Sequence, residues 1–292
     1  MIKHFAKSAF LWVEAFPYIL LSIATAVLYG IGRQRLGQMG KSNERCVVVG
    51  NGPSLKLDIE DLKCLKDTDF TCVNHFADAD AYSTLKPKGY FFVDPYFWKA
   101  DTSADFIDKR NVTFDNINLK TNWDMTIYVP CNADQEFFKS IFEKNKNISL
   151  VFYSCASVKG LPKGLANILL STGLFVPLGI NVLIHALFGA VRAGYSEIYI
   201  YGADSSWHQS LSLDQTSNEL FMVYDHFYGE TRTPVYRDNT KTIRSNVADE
   251  LMFVSLAMRT YMQVSEYAEV KGVKIYNGSS YSWVDAFERK RL

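Results

Sequence analysis

The chain has 292 residues, 48% hydrophobic and 21% charged, with 31 basic side chains against 31 acidic ones. That length can bury one substantial core, and a net charge of zero provides no basic field to gather nucleic acid, so nucleic-acid partners are excluded. The five cysteines, at 46, 64, 72, 131 and 155, are odd in number and lack metal-ligand spacing, so they read as reduced thiols in a cytosolic compartment.

The first predicted element is apolar. From Phe16 to Gly32 the chain runs FPYILLSIATAVLYGIG without a charge, and Ala9 to Val13 extends it upstream past Glu14. That approaches the roughly twenty residues of a membrane span. Lys3 and Lys7 precede the segment, whereas Arg33, Arg35, Lys41 and Arg45 follow it. The basic excess places the C-terminal bulk on the cytoplasmic side of an inner (plasma) membrane. Pro17 and Glu14 leave a second arrangement open, an interfacial helix lying in the membrane plane. Residues 1–45 therefore read as a membrane anchor and basic linker, and 46–292 as one domain.

That domain opens with Cys46-Val47-Val48-Val49-Gly50-Asn51-Gly52-Pro53-Ser54-Leu55, a β-branched run entering a tight turn and then a helix. Val47 to Val49 have the continuous apolar character of a central parallel strand. Gly50 and Gly52 let the backbone turn sharply or approach a ligand, Pro53 suits the turn or first helical position, and Ser54 is a candidate N-cap. Leu55, Ile59, Leu62 and Leu65 form the buried stripe of the helix, with Asp58, Glu60 and Asp61 near its positive end. Backbone amides at such a helix start face an anion, so the spacing predicts a phosphate site.

Further along, Phe70 to Asn74, Tyr90 to Val93, Thr126 to Val129 and Leu150 to Tyr153 read as short buried strands. Asp101 to Asn147 is otherwise polar and loop-rich. A periodic apolar helix over Ile180 to Ala193 feeds a strand over Glu197 to Gly202. Residues 205–245 are polar and aromatic with little periodicity, which predicts a long irregular lid-like insertion. Val247 to Val270 predicts an amphipathic helix, Val273 to Tyr276 a strand, and Trp283 to Arg289 a terminal helix. The alternation argues for an α/β, Rossmann-like, mostly parallel sheet with helices on both faces, and ligands bind at the carboxyl ends of such strands.

Gly50-Asn51-Gly52-Pro53-Ser54-Leu55 after an apolar strand resembles the opening of the family 42 bacterial sialyltransferases, and of a related domain found in hydroxymethylpterin pyrophosphokinases. Asn51, Gly52, Pro53 and Ser54 match the family's donor-nucleotide motif. Asn74, in Cys72-Val73-Asn74-His75-Phe76, is similar to its Cys-Asn-x-Phe segment with one extra residue, and Asp94 falls at a polar donor contact. Gly194-Tyr195-Ser196-Glu197-Ile198-Tyr199-Ile200-Tyr201-Gly202-Ala203-Asp204 is similar to a Gly-Tyr-x-Glu-Ile-Tyr-x-x-Gly-x-Asp segment that holds cytidine and phosphate. The resemblance covers roughly residues 45 to 280. It implies a GT-A-like variant of the fold and a nucleotide-sugar donor, CMP-linked, bound by Gly50 to Ser54, Asn74, Asp94, Asn181, Gly202, Asp204 and Ser205. It also implies a glycan or lipid-linked acceptor beside the membrane, and no required cofactor.

Departures accompany the matches. Where the family places two tyrosines after Gly-x-Asp, this chain has Ser205, Ser206, Trp207 and His208. Where the family has His-Tyr-x-Gly-His, this chain has His226-Phe227-Tyr228-Gly229-Glu230, which puts Glu230 at the base position. The donor-recognition arginine has no counterpart before Asn181. Candidate bases are Glu230, His226 and His208, with Tyr224, Tyr228 or Arg244 as lid donors to the leaving phosphate. His185, in an apolar helix, reads as packing. Asp78-Ala79-Asp80 has the spacing of a magnesium or manganese pair, with a solvated acidic turn as the ordinary alternative and no metal ligand assigned. Diphosphate transfer to a pterin and non-catalytic nucleotide binding are the competing readings. A homo-oligomer is compatible with the sequence.

Overall fold

The computed structural model describes residues 2–37, 40–226 and 229–292, with side chains described from residue 16 onward except at 224–231. The strands are β1 (Arg45–Val49), β2 (Thr68–Val73), β3 (Gly89–Phe91), β4 (Met125–Pro130), β5 (Ile148–Tyr153), β6 (Ala156–Val158), β7 (Phe175–Pro177), β8 (Glu197–Tyr201), β9 (Leu211–Leu213), β10 (Leu220–His226), β11 (Gly229–Pro234), β12 (Lys274–Asn277) and β13 (Glu288–Arg289). The helices are α1 (Ile2–Tyr29), α2 (Leu55–Lys63), α3 (Tyr82–Leu85), α4 (Ala104–Lys120), α5 (Gln135–Phe142), α6 (Lys163–Ser171), α7 (Val182–Ala193) and α8 (Val247–Val270).

The main sheet has the order β13-β12-β8-β1-β2-β3-β4-β5, and its pairings are parallel throughout. A fully buried parallel strand needs apolar side chains on both faces, and β1 supplies them: Cys46 and Val48 enter one core, Val47 and Val49 the other. The first core packs α6, α7 and α8 against the sheet; the second packs α2, α3, α4 and α5. From β1 the chain steps outward through β2 to β5, then returns to the far side of β1 as β8. The strand order therefore reverses between β1 and β8, where a crevice opens at the strand carboxyl ends.

Four expectations need correction. Residues 101–147 hold two helices, α4 and α5. The inner face of α4 includes buried Arg110 and Thr113 beside Phe114 and Ile117, and polar residues on a buried face erase the apolar period. Arg110 is held there by donating from Nη1 to the Tyr96 and Lys99 carbonyls, both at 2.7 Å. Second, Trp283 to Arg289 is extended and ends in β13. Asn277 Nδ2 donates to Ser282 Oγ at 2.9 Å and Val284 O at 3.0 Å, and Trp283 N donates to Asp204 O at 2.8 Å, so tertiary bonds replace the helical ladder. Third, the insertion over 205–245 is not irregular throughout but carries an antiparallel β9-β10-β11 meander.

The fourth correction concerns the predicted membrane span. Among the described residues no helix is long and apolar enough to cross a membrane. The C-terminal half of α1 has two unlike sides. One side docks on the domain: the Tyr18 ring lies against Gly160, Ser22 is buried, and the Tyr29 carbonyl accepts from Cys131 Sγ at 3.3 Å. Gly160 has φ +67°, and a Cβ there would come within 2.7 Å of the Tyr18 ring, so only glycine permits this approach. On the opposite side Phe16, Leu20, Ile23 and Val27, spaced i, i+4, i+7 and i+11, are each more than half exposed.

Candidate functional site

A cavity of about 220 Å³ opens at the carboxyl ends of β1, β2 and β8. Its floor is built by two glycine turns that lock together: Gly50 N donates to Tyr201 O and Gly52 N to Gly202 O, both at 2.8 Å. A Cβ on Gly50 would lie 2.5 Å from Gly202 O, and one on Gly52 would lie 2.1 Å from Asp204 Oδ1. The two glycines are therefore dictated first by the contact between loops, and Gly202 completes it with φ +63°.

Ser54 does not cap α2, contrary to expectation. Its N–H donates to Asp204 Oδ2 at 3.0 Å and its Oγ to Asp204 Oδ1 at 2.6 Å, so Asp204 itself is the anion at this helix start. The neighbouring amides of Leu55 and Lys56 turn inward to Gly52 O and Pro53 O. Pro53 is exposed and does not line the cavity. The predicted phosphate cradle is thus largely spent on the protein's own carboxylate.

A second helix start faces the cavity. Asn181, Val182 and Leu183 line it, and Asn181 Oδ1 accepts from Leu183 N at 2.9 Å as the N-cap of α7. The first turn of a twelve-residue helix carries amides without intrahelical partners and the positive end of its dipole. Periodicity placed this helix; that its first turn, with Val73 and Trp207, would wall the cavity was not legible in sequence.

Among the polar residues lining the cavity, Asn74 and Ser205 both occupy left-handed backbone, at φ 48° and 50°. Asn74 Nδ2 donates to Asp94 Oδ2 at 3.1 Å, which leaves its buried Oδ1 without a partner among the described residues. Asp94 stands behind Asn74 and does not itself line the cavity. Burial raises its carboxyl pKa above the ordinary value, and the Asn74 bond offsets part of that. Ser205 Oγ is also buried and interacts with the Tyr261 hydroxyl, and neither atom meets full hydrogen-bond geometry with a partner among the described residues. Buried polar atoms without full hydrogen bonds are costly, so two at one cavity mark a place where a ligand completes the bonding.

Of the three candidate bases, His208 is the one whose side chain is described. It follows Trp207 in a short 3₁₀ turn, its ring meets Trp283 edge-on at 4.5 Å, and its Nδ1 is buried without a partner among the described residues. Tyr281 braces this corner by donating from its hydroxyl to Gln209 Oε1 at 2.6 Å. Glu230 pairs with Asp225, and His226 with Gly229, across the β10–β11 hairpin. The side chains of His226 and Glu230 lie outside the described residues, as do Phe227, Tyr228 and the Tyr224 side chain. Arg244 Nη2 lies 3.5 Å from Glu219 Oε1 and its guanidinium sits over the Tyr236 ring.

Other singled-out groups fall away from the cavity. Asp78 accepts from Thr113 Oγ1 and Asn116 Nδ2, both at 3.0 Å, and among the described residues no three metal-ligating side chains cluster. His185 is buried with Nδ1 at 2.6 Å from Tyr153 Oη and Nε2 at 2.9 Å from Pro177 O. Burial brings its pKa down to about 4, consistent with packing. The five cysteines are free thiols, with Cys131 and Cys155 sulfurs 3.5 Å apart.

No protein-family model and no curated protein matches the chain. Among solved structures it is similar to the sialyltransferase CstII from Campylobacter jejuni in complex with a substrate analogue, cytidine-5'-monophosphate, at 16% identity over 87% of each chain with a TM-score of 0.44. It is similar to the sialyltransferase CST-II in complex with trisaccharide acceptor and CMP, at 17% identity over 85% of this chain and 86% of that one, with a TM-score of 0.42. A third likeness, to the MAf glycosyltransferase from Magnetospirillum magneticum AMB-1, has 12% identity over 94% of this chain and 38% of that one, with a TM-score of 0.49. At such identities and scores these likenesses decide nothing about this chain, and its function has to be read from its own residues.

Proposed function

We propose that the chain is a glycosyltransferase that moves a sugar from a CMP-linked donor to a glycan or glycolipid acceptor. The observation that carries the reading is the crevice between β1 and β8, where Asn74 Oδ1 and Ser205 Oγ, buried without full hydrogen bonds among the described residues, meet the start of α7. Oδ1 is an acceptor matched to a nucleobase amino group or ribose hydroxyl, and a helix start suits a phosphate. The sequence resemblance at Gly50 to Leu55 and at Gly194 to Asp204, which meet here, supports cytidine in particular.

In this mechanism an acceptor hydroxyl attacks the anomeric carbon from the face opposite the phosphate. A new carbon–oxygen bond forms as the bond to phosphate breaks, CMP departs with the electron pair, and a base takes the hydroxyl proton. Glu230 at the hairpin is that base, with His226 and His208 as the alternatives; Trp207 lines the cavity and His208 follows it without lining it. The first turn of α7 stabilises charge growing on the departing phosphate. Attachment to the cytoplasmic face of an inner membrane is part of the proposal, through the exposed apolar side of α1 lying in the bilayer surface.

Turnover of CMP-linked sugars by His208→Ala, His226→Ala and Glu230→Gln tests the assignment. One of them should lose about a hundredfold in rate while keeping CMP binding. Wild-type turnover in all three would remove the proposed base.

A further inference from the structure

A second cavity, of about 270 Å³, lies between the docked half of α1, the end of β6 and the middle of α8. Its walls include Tyr18, Val158, Leu178 and Leu256, and its polar edge carries Lys159 and Arg259. Both cations are exposed, and neither forms an ion pair among the described residues; Arg259 Nε reaches only Ser255 Oγ, at 3.5 Å. The contrast with Lys163 is direct, since its ammonium sits 3.3 Å from Glu266. Two cations without an ion pair among the described residues, set over an apolar wall, fit a ligand that is anionic at one end and hydrocarbon at the other.

The surroundings indicate where such a ligand comes from. On α8, Met252 and Phe253 lie one turn before Leu256 on the same helix face and are exposed. On α1 the exposed stripe Phe16, Leu20, Ile23 and Val27 runs along the other side of the helix that brings Tyr18 to the cavity. The exposed apolar residues of α8 thus border the cavity, and the α1 stripe lies across the helix from it. It is also close to the crevice: Leu178 lines the second cavity and Asn181 the first, so two residues of chain stand between them and their Cα atoms are at most about 10 Å apart.

From this juxtaposition we propose that the α1–α8 cavity binds the phosphate headgroup of an anionic membrane lipid, held by Lys159 and Arg259 with its chains alongside Tyr18, Leu256 and the exposed Met252 and Phe253. The inference rests on the membrane attachment proposed above and adds a lipid class and a site to it. A bound lipid would hold the bilayer surface within about 10 Å of the donor crevice, as an enzyme acting on a lipid-borne acceptor requires.

Flotation of the full chain with phosphatidylcholine vesicles, and with vesicles that also contain phosphatidylglycerol, tests this. The phosphatidylglycerol should strengthen binding, and Lys159→Gln/Arg259→Gln should lose about thirtyfold of that gain. Lys144→Gln/Lys146→Gln, carrying the same charge change elsewhere, should keep it. All variants should retain CMP-induced thermal stabilisation, which shows that they fold. If Lys159→Gln/Arg259→Gln binds anionic vesicles as the wild type does, the site is refuted while attachment stands. Failure to float with either vesicle refutes attachment and the site together. Equal displacement by millimolar-scale inorganic phosphate alone would identify a free-anion site and overturn the lipid assignment.

Discussion

Ser54 and Asp204 lie 150 residues apart in sequence and hold each other through two hydrogen bonds, Ser54 N to Oδ2 at 3.0 Å and Ser54 Oγ to Oδ1 at 2.6 Å. The pair ties the turn after β1 to the turn after β8, the two strands between which the sheet order reverses. Gly52 is part of the same contact, because a side chain there would overlap the Asp204 carboxylate.

Removing the carboxylate should therefore loosen the crevice floor. Asp204→Ala leaves the buried Ser54 N–H unpaired and its Oγ with only the Tyr281 carbonyl, at 3.2 Å, and should cost about 2 kcal/mol in urea unfolding. Ser54→Ala removes one of the two bonds and should cost about 1 kcal/mol. In the double variant the costs should fall well short of additive, and full additivity would show the two residues to be uncoupled.

Nucleotide affinity should depend on the unpartnered acceptor of Asn74. Asn74→Ala should weaken CMP binding about tenfold by calorimetry, as loss of one buried bond implies. Ser205→Gly accepts the left-handed backbone, so it isolates the hydroxyl: a similar weakening is expected with the melting temperature little changed. Unchanged affinity in both would mean that these atoms do not face the ligand.

Acid should destabilise the fold through two buried histidines. His185 and His75 both have pKa values lowered from 6.5 to about 4 by burial, with the Lys109 charge adding to the effect on His75. The unfolded chain takes up these protons first as pH falls. Stability is therefore fully present above pH 6.5, declines toward pH 4 and levels off below it, by about 3 kcal/mol per histidine. Asp94, with its pKa raised by burial, works in the opposite sense. Urea midpoints across that window check this, and a flat profile would contradict it.

The docking of α1 should hinge on Gly160. Gly160→Val places a branched side chain where the Tyr18 ring lies, at a φ that disfavours it. Limited proteolysis should then cut between α1 and β1 faster than in the wild type while the rest of the chain stays resistant. Unchanged cleavage would mean that other contacts suffice to hold the helix.

Elements with one dominant physical signature were legible in sequence: the β-branched β1, the buried α7 and the amphipathic α8 follow from apolar pattern alone. The misses share a cause, since each depends on partners far along the chain. α4 buries Arg110 because the Tyr96 and Lys99 carbonyls accept from it. The terminal segment stays extended because Asn277 and Asp204 bind its backbone. The site shows the same division. Asn74, Asn181, Gly202 and Ser205 do line one cavity. That Ser54 would turn to Asp204, leaving the phosphate role to α7, depends on a contact no local pattern records.

The measurement closest to the central claim is thermal stabilisation of the full chain by CMP, UDP, GDP, ADP and ATP, each with and without magnesium or manganese. A ligand that binds only the folded state raises its melting temperature. Selective stabilisation by CMP, independent of metal and reduced in Asn74→Ala, is the result predicted here. A shift only with diphosphates plus metal, or none with any nucleotide, would contradict the assignment of the β1–β8 crevice to a CMP-linked donor.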